Sequence, residues 1–168
     1  MDDPSVYVGT YAKYNNGSID GAWVSLEGHD KESFYEECRE LHKDEADPEL
    51  MFQDFQNFPR DFYGESGLDN QIWEWLELDD DERMMVEMYY DAIGNGRNIT
   101  DANDAFVGKY DSEEDFAQQF SEETGGIPSD CPTWITSCID WNRVWESELT
   151  HSFCTSTDDN NQVWVFRR

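Results

Sequence analysis

Carboxylates are the one reactive group this sequence holds in excess. Asp and Glu number 39 against 11 Lys and Arg, a formal charge of −28 over 168 residues. Carboxylates can serve as a catalytic acid–base pair, as ligands to a hard cation, or together as an anionic surface. With this many, some pair stands at glycosidase distance by chance, and no spacing selects one. The phosphate-binding glycine loop, the dinucleotide glycine pattern, the nucleophile elbow and His-Glu-x-x-His are all missing. Asp158-Asp159-Asn160-Asn161 lacks the glycine and the terminal Glu of a calcium loop and reads as a hairpin turn. The histidines (His29, His42, His151) and cysteines (Cys38, Cys131, Cys138, Cys154) have no zinc spacing. The expectation is a non-enzyme with no catalytic residue, no metal and no cofactor. Each cysteine is expected as a free thiol packed like a small apolar residue.

The acids are spread. Met1–Tyr63 has 15 acids and 5 bases, Gly64–Gly108 has 12 and 2, and Lys109–Arg168 has 12 and 4. A catalytic pocket would concentrate them. This charge disfavours binding to nucleic acid directly or to an anionic membrane, so a partner should be strongly basic. Halophilic adaptation fits poorly with 7 Trp, 8 Tyr and 10 Phe, and so does a disordered acidic tail. A globule of this length would be roughly 40 Å across, and a duplex that long carries about 24 charges. Self-repulsion at that density favours an elongated chain of small modules over a sphere. The start, Met1-Asp2-Asp3-Pro4, shows no apolar leader, and no run approaches a membrane span, so a cytoplasmic protein is expected.

The stretch Leu41–Pro59 sets five of the acids, Asp44, Glu45, Asp47, Glu49 and Asp54, among the anchors Leu50, Phe52, Phe55 and Phe58. Simple alternation puts Leu50, Phe52 and Asp54 on one face of a strand and Met51, Gln53 and Phe55 on the other. Before it, Ser5–Ala12 reads as a strand, Asn15-Asn16-Gly17 as a turn and Gly21–Leu26 as a returning strand. Asp30 caps a helix to about Lys43, with Phe34, Tyr35, Cys38 and Leu41 inward. This gives a first α+β module, residues 1–63.

Residues 64–108 read as a helical module. A short helix over Asp69–Leu78 turns Ile72, Trp73 and Trp75 inward and Glu74 and Glu77 outward. Asp79, Asp80, Asp81 and Glu82 open a helix over Asp80–Ile93, where acids suit the positive end of the dipole. That helix carries Glu87 and a stripe of Met84, Met85, Met88 and Tyr89, and Gly94-Asn95-Gly96 stops it. Thr100 is the expected cap of a last turn through Phe106. Residues 109–168 form a second α+β module. Ser112 and Asp115 suggest a capping box, with Asp111, Glu113 and Glu114 around it. Helices follow over residues 112–124 and Ile139–Leu149, the latter with Asp140, Glu146 and Glu148 outward. Strands Ser152–Ser156 and Gln162–Arg167 close the chain. Val163 and Val165 on one face of the last strand, with Trp164 and Phe166 on the other, mean burial in the sheet or pairing with a second copy.

The words His42-Lys43-Asp44-Glu45-Ala46-Asp47-Pro48-Glu49-Leu50-Met51-Phe52-Gln53-Asp54 and Phe58-Pro59 closely resemble the ArdA family of antirestriction proteins. Val6–Thr10, Lys13-Tyr14-Asn15, Gly17-Ser18-Ile19, Asp111–Ala117 and Val165–Arg168 are similar to it as well, so the resemblance reaches both ends. It implies a protein encoded on mobile elements that binds type I restriction–modification enzymes, at their methyltransferase and specificity subunits, in place of DNA. It also implies an elongated homodimer of three small modules, joined through the C-terminal one. Trp164 and Phe166 are our own assignment for that contact. The family's acidic motif corresponds to Ile139–Leu149, which keeps Asp140-Trp141 but has Glu146-Ser147 where Arg-Asp is common. The expected function is therefore mimicry of DNA by carboxylates, blocking restriction, with modification as a second target. The alternative is an acidic mimic or adaptor for another basic target: a nucleoid protein, a repressor or a nuclease effector.

Overall fold

The computed structural model describes residues 3–94 and 98–168. The chain is α+β, with two three-stranded antiparallel sheets. It divides into two compact units, residues 1–83 and 84–168. The expected stop at Asn95-Gly96 lies outside the described residues.

The first unit begins with β1 (Ser5–Thr10) and a one-turn helix α1 (Tyr11–Asn15). The sequence suggested strand as far as Ala12. The strand ends early because the Thr10 hydroxyl accepts from the Lys13 N–H at 3.2 Å, capping the helix in its place. Strands β2 (Ala22–Ser25) and β3 (Leu50–Gln56) flank β1 in the order β2-β1-β3. Helix α2 (Lys31–Leu41) starts at a capping box in which Asp30 and Ser33 satisfy each other's backbone N–H groups. Phe34 from α2 meets Phe52 of β3 at 6.1 Å, with Val6, Val8 and Cys38 buried around them. Leu41, expected inward, is exposed at the helix end.

Strand β3 does not alternate simply. Phe52 pairs with Val8 but Asp54 pairs with Tyr7, because a bulge at this point leaves Gln53 as an extra residue. Phe52 and Asp54 therefore occupy opposite faces, not the shared face that alternation suggests. The bulge keeps Phe52 in the core and turns Asp54 to the face away from α2. Helix α3 (Gln71–Leu76) buries Ile72 and Trp75 and half-buries Trp73.

Helix α4 (Asp80–Ile93) passes the division between the units after Arg83. In the second unit Met85 and Tyr89 of the expected stripe are buried, Met84 and Met88 are half-buried, and Val86 and Tyr90, not expected there, are buried as well. Helix α5 (Ile99–Ala105) is capped by Asn98, whose side chain accepts from the Thr100 N–H; Thr100 itself is not the cap. At Phe106 the chain turns to strand β4 (Phe106–Tyr110), where sequence suggested the end of a helical stretch. Helices α6 (Glu113–Glu123), α7 (Thr133–Thr136) and α8 (Trp141–Ser147) follow, then β5 (Phe153–Thr157) and β6 (Val163–Arg167). The sheet order is β4-β6-β5.

Strand β6 is thus central and buried on both faces. Val163 and Val165 join Phe116, Ala117, Trp145 and Phe153 in one core beneath α6 and α8. On the other face Phe166 meets Tyr89 at 5.4 Å, and Phe106 lies 5.6 Å from both Trp164 and Phe166. Of the two readings of the last strand, the structure takes burial. Trp164 and Phe166 are 2% and 0% exposed, so neither side chain is on the surface to meet a second copy.

Candidate functional site

Folding a chain of this charge requires that acids stand where something offsets them, and helix starts supply one such place. At the head of α4 the Asp79 carboxylate accepts from the Glu82 N–H at 2.9 Å, and Glu82 accepts in return from the Asp79 N–H at 3.1 Å. At α6 Ser112 accepts from the Asp115 N–H, while the reciprocal bond reaches one residue further back, from the Asp111 N–H to Asp115. At α8 Asp140 accepts from the Arg143 N–H at 3.0 Å. Each acid cluster singled out in these helices therefore serves the backbone with some members and faces solvent with the rest. Asp80, Asp81, Asp111 and Glu114 are exposed; Glu87, Glu113 and Asp115 are half-buried. The Thr155 hydroxyl donates to Glu113 at 2.6 Å, tying the start of α6 to β5.

The loop between α2 and β3 is anchored from beneath. His42 is 1% exposed; its Nε2 lies 3.1 Å from the Val8 carbonyl and its Nδ1 lies 3.0 Å from the Lys13 ammonium. With the ammonium donating to Nδ1, Nε2 carries the proton and donates to the carbonyl. Lys13 also pairs with Asp44 at 3.0 Å, and that hydrogen bond holds the Asp44 carboxyl below the usual carboxylate range. The Thr10 hydroxyl donates to Glu45 at 2.6 Å. Two of the four loop acids thus fasten the loop. Asp47 and Glu49 stay exposed, as do Asp54, Glu74, Glu77, Glu146 and Glu148.

Among the described cations Arg83 is buried and Lys13 half-buried, while the others, Lys109 and Arg168 included, are exposed. Arg83 is 7% exposed: its guanidinium pairs with Glu27 at 2.7 Å, donates to the Leu76 and Leu78 carbonyls, and lies 4.8 Å over the Trp75 ring. Lys109 sits 3.7 Å over Trp164, and the Arg168 Nε donates to the Thr150 and Phe153 carbonyls. Sequence inspection missed these uses, because a lone Arg or Lys gives no sign of the carbonyls it will meet.

The nineteen acids singled out do not converge. They occupy a loop, a strand, helix heads and helix flanks in both units. Among the described residues no three of His, Cys, Asp and Glu are placed to hold a metal ion. Also among the described residues, no helix is long and apolar enough to cross a membrane. Cys38 and Cys154 are buried as expected, and burial pushes the Cys38 thiol up to about 12. Cys138 is exposed and Cys131 half-buried, which departs from the expectation, because the segment around them is an irregular surface turn containing only the short α7.

What these features define is a strongly acidic protein on an α+β scaffold, its carboxylates distributed over both units. The chain matches the family model described as Antirestriction protein (ArdA) over residues 6–158, and it belongs to that family. Comparison with curated protein sequences yields no match.

Proposed function

We propose that this antirestriction protein acts as a DNA mimic, filling the DNA-binding groove of a type I restriction–modification enzyme with its carboxylates. The observation that carries the reading is the spread of solvent-facing carboxylates over both units, in a chain with 39 acids against 11 Lys and Arg. A DNA groove is lined by Lys and Arg placed for phosphates, and most of its contacts ignore base sequence. Exposed carboxylates on helices and strands suit such a lining. Each contact contributes about 0–1 kcal/mol when exposed, so binding is a sum over many. The enzyme's methyltransferase and specificity subunits are the partner in this reading, which covers restriction and extends to modification. A homodimer belongs to the same proposal, with the protein acting in the bacterial cytoplasm.

Competition decides it. A purified type I methyltransferase core is loaded with labelled DNA and challenged with this protein at rising salt. The expected result is displacement of DNA that weakens steeply as salt rises. Changing Asp79, Asp80 and Asp81 to Asn and Glu82 to Gln keeps the acceptors that cap α4. That block should weaken displacement by about tenfold, while each single change does little. A ternary complex of enzyme, DNA and this protein would end the reading, and capture of a nucleoid protein in place of the enzyme would redirect it.

A further inference from the structure

The face of the first sheet turned away from α2 carries a cleft of ≈ 530 Å³. Its floor is one cross-strand row, in which Trp23 lies opposite Tyr7 and Tyr7 opposite Asp54. Tyr14, Tyr63 and Glu65 form part of its walls. Four of these groups, Tyr7, Trp23, Tyr63 and Glu65, are held in place before anything binds. The Tyr7 hydroxyl donates to the Ile19 and Gly21 carbonyls at 3.2 and 3.1 Å, and Trp23 stands edge-on to the Tyr7 ring at 5.6 Å. The Tyr63 hydroxyl donates to the Phe52 carbonyl at 2.6 Å. Glu65 is held through its carbonyl, which accepts the Phe52 N–H at 2.7 Å, and through its carboxylate, which accepts the Tyr11 hydroxyl at 3.0 Å. Even so, Trp23 and Tyr14 are 45% and 52% exposed.

Preset aromatic faces beside two carboxylates match a flat cation: the rings attract it through their quadrupoles and the carboxylates accept its N–H groups. Burial first, then the charges of Glu65 and Asp54, push the Tyr63 hydroxyl up, so both carboxylates act at one ring. The molecule contains its own precedent. A second cleft of ≈ 460 Å³ shares Asp54, Tyr63 and Glu65 with the first and holds Arg60, whose guanidinium carbon lies 5.7 and 5.8 Å from the Phe55 and Tyr63 ring centres. The larger cleft has no Lys or Arg in its lining.

We propose that this larger cleft seats an arginine side chain of a basic protein partner, the guanidinium against Trp23 and Tyr7 and its N–H groups toward Asp54 and Glu65. The proposal rests on the reading that the partner is a basic DNA-binding protein and adds where one of its arginines docks. Lysine fits less well, because a compact ammonium is more strongly hydrated and lacks the planar face with which a guanidinium lies flat on a ring.

Two arms test it. In the first, a short blocked peptide Gly-Arg-Gly and its Gly-Lys-Gly counterpart are titrated against the full chain, with the Trp23 indole N–H followed by NMR. A saturable shift is expected for the Arg peptide, at an affinity about 3- to 10-fold above the Lys peptide. The shift should vanish in the double variant Asp54→Asn, Glu65→Gln, which keeps the acceptor for Tyr11. Equal response to both peptides, or none at Trp23, overturns the proposal. In the second arm, Trp23→Phe and Trp23→Ala enter the competition with DNA on the methyltransferase core, after circular dichroism confirms that each is folded. Trp23→Ala should displace DNA about 3- to 10-fold less well, and Trp23→Phe should fall between. If wild type and Trp23→Ala displace DNA equally, the cleft is not a docking site while mimicry stands. If wild type displaces no DNA yet binds the Arg peptide at Trp23, mimicry falls and the cleft stands.

Discussion

The two sheets are built alike and finished differently. Each has three antiparallel strands with its central strand paired on both sides, β1 in one and β6 in the other. In β6 both sets of side chains are buried, the valines beneath α6 and α8 and the aromatics against Tyr89 and Phe106. In β1 the second face is covered only in part: Val6 and Val8 lie in the core, and on the other face Ser5 and Gly9 are buried while Tyr7 is half-buried beside an exposed Trp23. The lesson concerns what an aromatic in a strand is for. Trp164 and Phe166 provide packing. Tyr7 and Trp23 are oriented by hydrogen bonds and ring contact but left in reach of solvent, which is the arrangement of a recognition surface.

That contrast can be broken by mutation. The largest effect is expected for Phe166→Ala, which empties a fully buried site between Tyr89 and Phe106. A loss of about 3–5 kcal/mol is expected in urea unfolding; a loss under ~1 kcal/mol would mean that face is not packed as described. Thiol alkylation comes next. Cys154 in the second sheet and Cys38 beneath the first should react only through unfolding, whereas Cys138 reacts at once. Burial raises the Cys38 thiol to about 12, so its neutral form favours the folded state. That contribution is whole below the ordinary thiol range and is lost as pH climbs toward 12. Rapid labelling of Cys38 in the native protein would contradict its burial.

Trp23→Ala should cost only about 0.5–1.5 kcal/mol, since the side chain is half in water and loses mainly its edge contact with Tyr7. A cost equal to that of Phe166→Ala would erase the distinction between the sheets. The smallest effect is a titration. Asp158 accepts from the Trp164 indole N–H at 3.0 Å, and this bond first, with backbone N–H groups of Gln162 and Asn160, holds its carboxyl below the usual range. Its contribution to stability is therefore present above the unfolded carboxylate value and fades as pH falls through the lower folded one. The Trp164 indole N–H resonance should move in that acid window and stay still in Asp158→Asn.

Much of the scaffold was legible where local chemistry decides. Leu50–Gln56 and Asp80–Ile93 read correctly as strand and helix, and Asp30, Ser112 and the acids before α4 read correctly as helix heads. Strand β4 was not legible, because Phe-Val-Gly-Lys-Tyr is short, holds two poor strand formers and takes its identity from pairing with β6. The bulge in β3 escaped for a related reason: alternation carries no sign of one extra residue. The acidic surface could be read as composition, but not which acids fasten the fold. Asp44 and Glu45 look like Asp47 and Glu49 until Lys13 and Thr10 are brought up from 31 and 35 residues away. The cleft left a faint signal in Tyr7 and Trp23, which alternate with valines and so must share the opposite face; its carboxylates, Asp54 and Glu65, come from other parts of the chain.

The pairing partners of the central strands also set a tempo. Ser5 must find Gln56, and Phe106 must find Phe166, before either core can close. Such distant registration places the entropy of loop closure ahead of the reward. Refolding from denaturant should therefore proceed in milliseconds to seconds, with helix signal recovering before the tryptophans reach their native environment.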